Sequence, residues 1–288
     1  MLQIANQILT VEIATKGAEL QSVFNRKTGL EYMWSAEEVW PKKSPVLFPI
    51  VGGLKNNSYQ YKGKTYQLGR HGFARDKDFS VQDQSENAVV FLLNDSTETL
   101  AVYPFQFNFF IRYSIDGNKL TVEYTVINKD DEVMYFSVGA HPAFKVPLVE
   151  GTSFEDYFLA FDTIENSERW LLSGEGLIED KTVAVFNNTQ KLPLLKSLFY
   201  EDALVFKDLK STHISLQSDK TSNGLTMSFE GFPYLGIWSK KDADFICIEP
   251  WCGIADSVHA SGQLQEKEGI LSLQPNEIFT KKFEISFF

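Results

Sequence analysis

Only two cysteines and four histidines occur in this chain of 288 residues. Cys247 and Cys252 flank Glu249 in one short segment, and extended geometry would hold them too far apart to bridge easily. They are expected to be free thiols. Two cysteines with no second pair and no histidine nearby also fall short of a zinc site. Long apolar runs are missing too, none approaching the ~18 residues of a membrane helix. Met1–Ile8 has neither the basic n-region nor the apolar h-region of a leader, so the expectation is a cytoplasmic chain without a membrane segment. Basic surplus is absent: the formal net charge of -11 excludes the phosphate-neutralising surface of a nucleic-acid partner and the polybasic surface of a membrane binder. A small ligand, neutral or held by a few local basic groups, fits this balance.

Aromatic and apolar residues are plentiful. With 24 Phe, 11 Tyr, 5 Trp and 43% hydrophobic residues, the chain can bury a large core. Alternation marks strands at Leu2 and Ile4, Leu9–Ile13, Leu20–Phe24, Val89–Leu93, Phe107–Ile115, Leu120–Asn128 and Val133–Val138. Later strands are expected at Glu155–Phe161, at the end of Glu201–Phe206, and at His213–Gln217, Gly224–Glu230, Leu235–Ser239, Asp244–Trp251 and Lys281–Phe288. Lys62-Gly63-Lys64 predicts a hairpin over Ser58–Tyr66. Three short helices are expected: one or two turns opened by the capping-box spacing of Ser35–Glu38 and ending before Pro41, Ser96–Tyr103 stopped by Pro104, and Leu192–Phe199. Asn166–Asp180 shows no clear periodicity and reads as loop. Residues 107–138 read as a meander leading into His141. Roughly fifteen to twenty strands, no linker and no fixed repeat predict one all-β domain over 1–288, a large antiparallel β-sandwich with few short helices.

Four clusters carry chemistry-bearing side chains. His141 sits in Gly139-Ala140-His141-Pro142, where glycine and proline set a rigid corner at the end of an apolar run. A buried histidine satisfied by a carbonyl would leave the same trace. Gly69-Arg70-His71-Gly72-Phe73-Ala74-Arg75 crowds donors suited to hydroxyls or an anion, although a solvated basic loop looks similar. Glu249 follows Phe245-Ile246-Cys247-Ile248, where a carboxylate is costly unless it is hydrogen-bonded or used, so it is either a general base or an acceptor for backbone amides. Asp202 lies in an acidic turn. No nucleophile elbow, phosphate loop or dinucleotide fingerprint is present, and the spacings of His71, His141 and Glu249 match no metal motif, so neither cofactor nor metal is expected.

Pro45-Val46-Leu47-Phe48-Pro49-Ile50-Val51-Gly52, His71-Gly72-Phe73-Ala74-Arg75, Gly139-Ala140-His141-Pro142-Ala143-Phe144 and Ile248-Glu249-Pro250-Trp251-Cys252-Gly253 follow one another across nearly the whole chain. In this order and separation they resemble the aldose 1-epimerase (galactose mutarotase-like) family, in its LacX-type and hexose-6-phosphate-epimerase-like branch. The resemblance implies a supersandwich with an open sugar cleft and a cofactor-independent reaction at C1 of an aldohexose or its 6-phosphate. It implies His141 as the acid that protonates the ring oxygen and Glu249 as the base at the C1 hydroxyl. His71 would orient the sugar, and Arg75 and Asp202 would bind it. One position departs: where relatives carry a substrate-binding arginine, this chain has Gly52-Gly53, with Lys55 the nearest following base and Arg70 another possible replacement. Two other readings remain at this stage. One is a carbohydrate-binding protein without turnover; the other is a glycosidase or lyase, with Asp202 as the second carboxylate.

Overall fold

In the computed structural model, which describes residues 1–288, the longest paired strands are those whose sequence alternates most strictly. Phe107–Asp116 and Lys119–Asn128 bury every second residue and pair antiparallel from Lys119 opposite Asp116 to Asn128 opposite Phe107. Side chains alternate across a strand, so these two present one continuous apolar face. They lie in a nine-stranded sheet, which continues through Ala88–Asn94 to Ser80–Gln84 on one side. On the other side it runs through Ile278–Phe287, Thr221–Ser228, His213–Ser218 and Tyr157–Glu165 to Thr189–Pro193.

A seven-stranded sheet positions the site. Both Val138–Gly139 and Ala143–Lys145 pair with Phe245–Cys252, which is followed by Tyr234–Trp238, Leu204–Phe206, Glu168–Leu172 and Ile178–Ala184. One contiguous core joins Phe109, Val122 and Ile285 of the nine-stranded sheet to Phe206, Ile237, Ile246 and Ile248 of the seven-stranded one. The chain is therefore an antiparallel β-sandwich, related to the sheet-on-sheet architectures in which the inner faces interdigitate. Residues Ile246 and Ile248 point into that core; by alternation Cys247, Glu249 and Trp251 turn to the opposite face. The single α-helix, Thr97–Val102, carries a complete cap, with Ser96 Oγ accepting from Thr99 N and Thr99 Oγ1 accepting from Ser96 N. No helix is long and apolar enough to cross a membrane.

Several local expectations are corrected. Ser35–Glu38 forms no helix: Ala36 has φ 61° and Ser35 Oγ donates to Glu37 Oε1 at 2.8 Å, so the hydroxyl meets a side chain instead of capping a turn. The meander stops at Asn128, because the far edge of Lys119–Asn128 is taken by Ile278–Phe287. Met134–Phe136 pairs with Leu271–Leu273 instead. Asn166–Asp180 is largely hairpin, Glu168–Leu172 against Ile178–Ala184. It escaped a periodicity search because these strands bury few residues. Leu192 ends in the strand Thr189–Pro193, and only Lys196–Phe199 makes a 3₁₀ turn. Cys247 and Cys252 are buried free thiols, as expected.

Candidate active site

The strand register sets the main relationship in the site. Gly139 pairs with Trp251, and Ala143 pairs with Cys247, on the same antiparallel partner. The three residues between them stay in register with the three on the partner strand, with Ala140 N donating to Pro250 O at 3.1 Å and Ile248 N to Pro142 O at 3.3 Å. This register sets His141 opposite Glu249, with His141 Nε2 3.3 Å from Glu249 Oε2. Trp251 fits beside the carboxylate because two residues that face its indole are glycines: a Cβ at Gly139, its partner on one side, would stand 2.7 Å from Trp251 Cδ1, and one at Gly236, the partner of Glu249 on the other side, would overlap the indole.

His71 approaches from another loop. It has φ 68°, followed by Gly72 with φ 69°, and a Cβ at Gly72 would overlap Phe48 O. The loop is tied at both ends of the imidazole's own residue: His71 N donates to Gly52 O at 2.9 Å, and Gly52 N donates to His71 Nδ1 at 3.1 Å. Because Nδ1 accepts, the neutral ring carries its proton on Nε2 and is a donor. The His71 and His141 rings meet edge to face at 5.8 Å.

Burial dominates the electrostatics. Glu249 is 2% exposed, and desolvation holds its carboxyl well above the usual carboxylate range, assisted by Asp202. The Trp251 indole N–H offsets part of this rise, although it closes no hydrogen bond of normal geometry. Desolvation pulls His141 down to about 3, with the Arg75 charge acting in the same direction and a hydrogen bond with the backbone opposing. Burial, then His141, Arg75 and Arg70, keep His71 well below the ordinary imidazole value. A neutral carboxyl beside a neutral imidazole holds the same number of protons as a carboxylate beside an imidazolium. The pair therefore carries one mobile proton in either form.

All five residues singled out from the sequence, His71, Arg75, His141, Asp202 and Glu249, line one open cleft of about 880 Å³. Asp202 sits in a turn with φ 85°, its Oδ1 accepting from Ala203 N at 2.8 Å. Arg75 braces the His71 loop, its Nη2 donating to Arg70 O at 2.9 Å. Arg70 lies against the backbone at Gly53, its Nη2 donating to Glu175 O at 2.7 Å, whereas Lys55 does not line the cleft.

Sequence reading missed the aromatic wall. Trp40 stacks on His141 at 5.3 Å and 24°, with Phe245 on it at 5.2 Å and 23°. Trp238 meets His141 edge to face at 5.7 Å. Trp34 Nε1 donates to Trp40 O at 3.0 Å and fixes the loop that was expected to be helical. A tryptophan before a proline in a polar segment was the available signal. Cys247, on the same strand face as Glu249, also reaches the pair: the nearest donor atoms of His141, Cys247 and Glu249 lie within 4.8 Å of one another.

The sequence model of the family described as aldose 1-epimerase matches residues 1–286. The chain is similar to the chromosomal protein LacX of Lactococcus lactis subsp. lactis, 35% identical over 300 residues that cover 99% of this chain and 98% of that protein. It also superimposes on a galactose mutarotase related enzyme from Lactobacillus acidophilus with TM-score 0.95 and 38% identity, over 100% of this chain and 97% of that one. A galactose mutarotase-like protein from Lactobacillus casei matches with TM-score 0.94 and 31% identity, over 100% of both chains.

Proposed function

Because the chain belongs to the aldose 1-epimerase family, and so to isomerases acting on carbohydrates, we propose that it interconverts the α and β anomers of an aldohexose or hexose 6-phosphate, as one domain spanning residues 1–288. The observation that carries this reading is the His141 Nε2 to Glu249 Oε2 separation of 3.3 Å on the wall of the cleft. Opening a cyclic hemiacetal requires a proton removed from the C1 hydroxyl and another supplied to the adjacent ring oxygen. Glu249 takes the first and His141 supplies the second. Rotation about C1–C2 and reclosure on the other carbonyl face then run the transfers backwards, returning the pair to its starting state. No proton need come from solvent, because the pair holds one throughout. Each positioned transfer contributes roughly 10²–10⁴-fold.

The remaining groups orient the sugar. His71 donates from Nε2 toward the reacting oxygens, Asp202 accepts from hydroxyls, and Arg75 contributes positive charge at the same wall. Trp40 and Trp238 exclude water from the imidazole, which strengthens interactions within the cleft.

The test is NMR measurement of anomer exchange with glucose, galactose and their 6-phosphates. Exchange above the spontaneous rate for at least one of them supports the reading. Saturable binding of these sugars without acceleration would overturn it in favour of a carbohydrate-binding protein.

A further inference from the structure

We propose that the floor of the cleft is also a binding site for a thiophilic divalent cation, Zn²⁺ or Cd²⁺, held by His141, Cys247 and Glu249, and that occupancy blocks the cleft's reaction. The blocking half rests on the proposed epimerase reading; the binding half does not.

The three ligands converge for a reason visible in the strand pairing. Cys247 and Glu249 are two residues apart on Phe245–Cys252, so their side chains share a face. Ala143 pairs with Cys247 and Gly139 with Trp251, which stretches the His141 turn over that same face. The donor atoms, one nitrogen, one sulfur and one oxygen, lie within 4.8 Å of one another. Metal–ligand bonds of ~2.0–2.3 Å place neighbouring ligands of a tetrahedral ion roughly 3.3–3.7 Å apart. The His141–Glu249 separation of 3.3 Å already meets that. Bringing in the sulfur takes at most roughly 1 Å of side-chain adjustment on the same bond lengths.

One further observation favours a cation here. His141 and Glu249 line the open cleft, which supplies both an entry path and the fourth coordination position. A sulfur ligand selects zinc and cadmium over magnesium and calcium. No spacing motif announces such a site, because His141 lies far earlier in the sequence than the other two ligands and reaches them only through strand pairing.

Binding replaces the thiol proton and the mobile proton of the His141–Glu249 pair by metal bonds, and both protons go to solvent. The imidazole lone pair and a carboxylate oxygen are then occupied. Neither proton transfer to the sugar can proceed.

The experiment titrates folded wild-type protein and the Cys247→Ser, Cys247→Ala and Cys252→Ala variants with Cd²⁺, following the ultraviolet thiolate-to-cadmium charge-transfer band. Thermal melts with and without Zn²⁺ accompany it. We expect one Cd²⁺ per chain with the band present in wild type and Cys252→Ala and absent in both Cys247 variants. Zn²⁺ should raise Tm only where Cys247 is intact, since a ligand that binds the native state stabilises it by mass action. In anomer exchange, Zn²⁺ should inhibit competitively and reversibly by chelator, with the inhibition constant weakened at least ~10-fold in Cys247→Ser, the lower end for losing a group that supports a metal. Absence of the band in wild type, or its survival in both folded Cys247 variants, would overturn the site. Inhibition equal in wild type and Cys247→Ser would overturn the blocking role. Failure of every sugar to exchange would strike the epimerase reading and leave the cadmium result to judge the site.

Discussion

His141 stands opposite Glu249 because the two short strands beside it, Val138–Gly139 and Ala143–Lys145, pair with one and the same partner strand. The separation of His141 and Glu249 is thus a consequence of register. Gly139→Ala tests it, because the new methyl would stand 2.7 Å from Trp251 Cδ1 and must push the indole or the pairing apart. We expect a loss of about 1–3 kcal/mol, the usual cost of overpacking. We also expect anomer exchange to fall further than His71 or Arg75 substitutions of equal stability would produce. Unchanged exchange in a folded Gly139→Ala variant would show that register does not set the pair.

Charge burial at the site gives a stability signature with a definite sign. Glu249 is raised by burial, so above the ordinary carboxyl range the native state holds a proton that the unfolded state has released. Stability from this group falls as pH rises through that window. His141, lowered to about 3, acts oppositely: the unfolded state gains a proton as pH falls below the ordinary imidazole value, and stability is lost on the acid side. Glu249→Gln removes the first effect. Its Tm should match wild type in acid and exceed it increasingly from pH 5 to pH 8. Parallel Tm curves for the two proteins would contradict the burial argument.

Trp40 stacks on the imidazole at 5.3 Å. Trp40→Ala should cost about 2 kcal/mol, below the ~3–5 kcal/mol of a fully buried aromatic, since its indole is only half-buried. Water admitted to His141 should move its NMR titration upward toward the ordinary imidazole value. Trp40→Phe should restore much of the shift. A His141 titration indifferent to Trp40→Ala would remove Trp40 from the account.

Behind the cleft wall, Lys267 Nζ donates to Asp256 Oδ1 at 2.8 Å and to Ile254 O at 2.6 Å. Both side chains are almost fully buried, at 2% and 5% exposure. Asp256 N donates to Gly53 O at 2.9 Å, so the pair anchors the loop that clasps His71. Lys267→Met leaves a buried carboxylate uncompensated and should destabilise by about 3–5 kcal/mol, measured by urea unfolding. A change below about 1 kcal/mol, typical of exposed pairs, would contradict that anchoring role.

Alternation made the long strands readable: Phe107–Asp116 and Lys119–Asn128 each have one buried and one wetter face. The Lys62-Gly63 hairpin and the Ser96 cap were readable from local chemistry. Glu168–Leu172 and Ile178–Ala184 were not, because they are half-exposed and carry no apolar period. Within the site, His141 and Glu249 were legible as isolated oddities, a histidine in a tight corner and a carboxylate on an apolar strand. Their juxtaposition was not, since it depends on a register between segments far apart in sequence. Trp40 was hidden inside a false helix signal, because Ser35 bonds Glu37 and not a helical amide.

The most direct test of the central claim is NMR exchange spectroscopy on whichever aldose or aldose 6-phosphate the wild-type protein accelerates, repeated with Glu249→Gln and His141→Asn at matched folded concentration. The account predicts that kcat falls roughly 10²–10⁴-fold in each variant, with sugar binding retained. The double variant should be little worse than either single one, because the two groups move one proton between them. Wild-type exchange rates in either folded variant would contradict the assignment of the reaction to this pair.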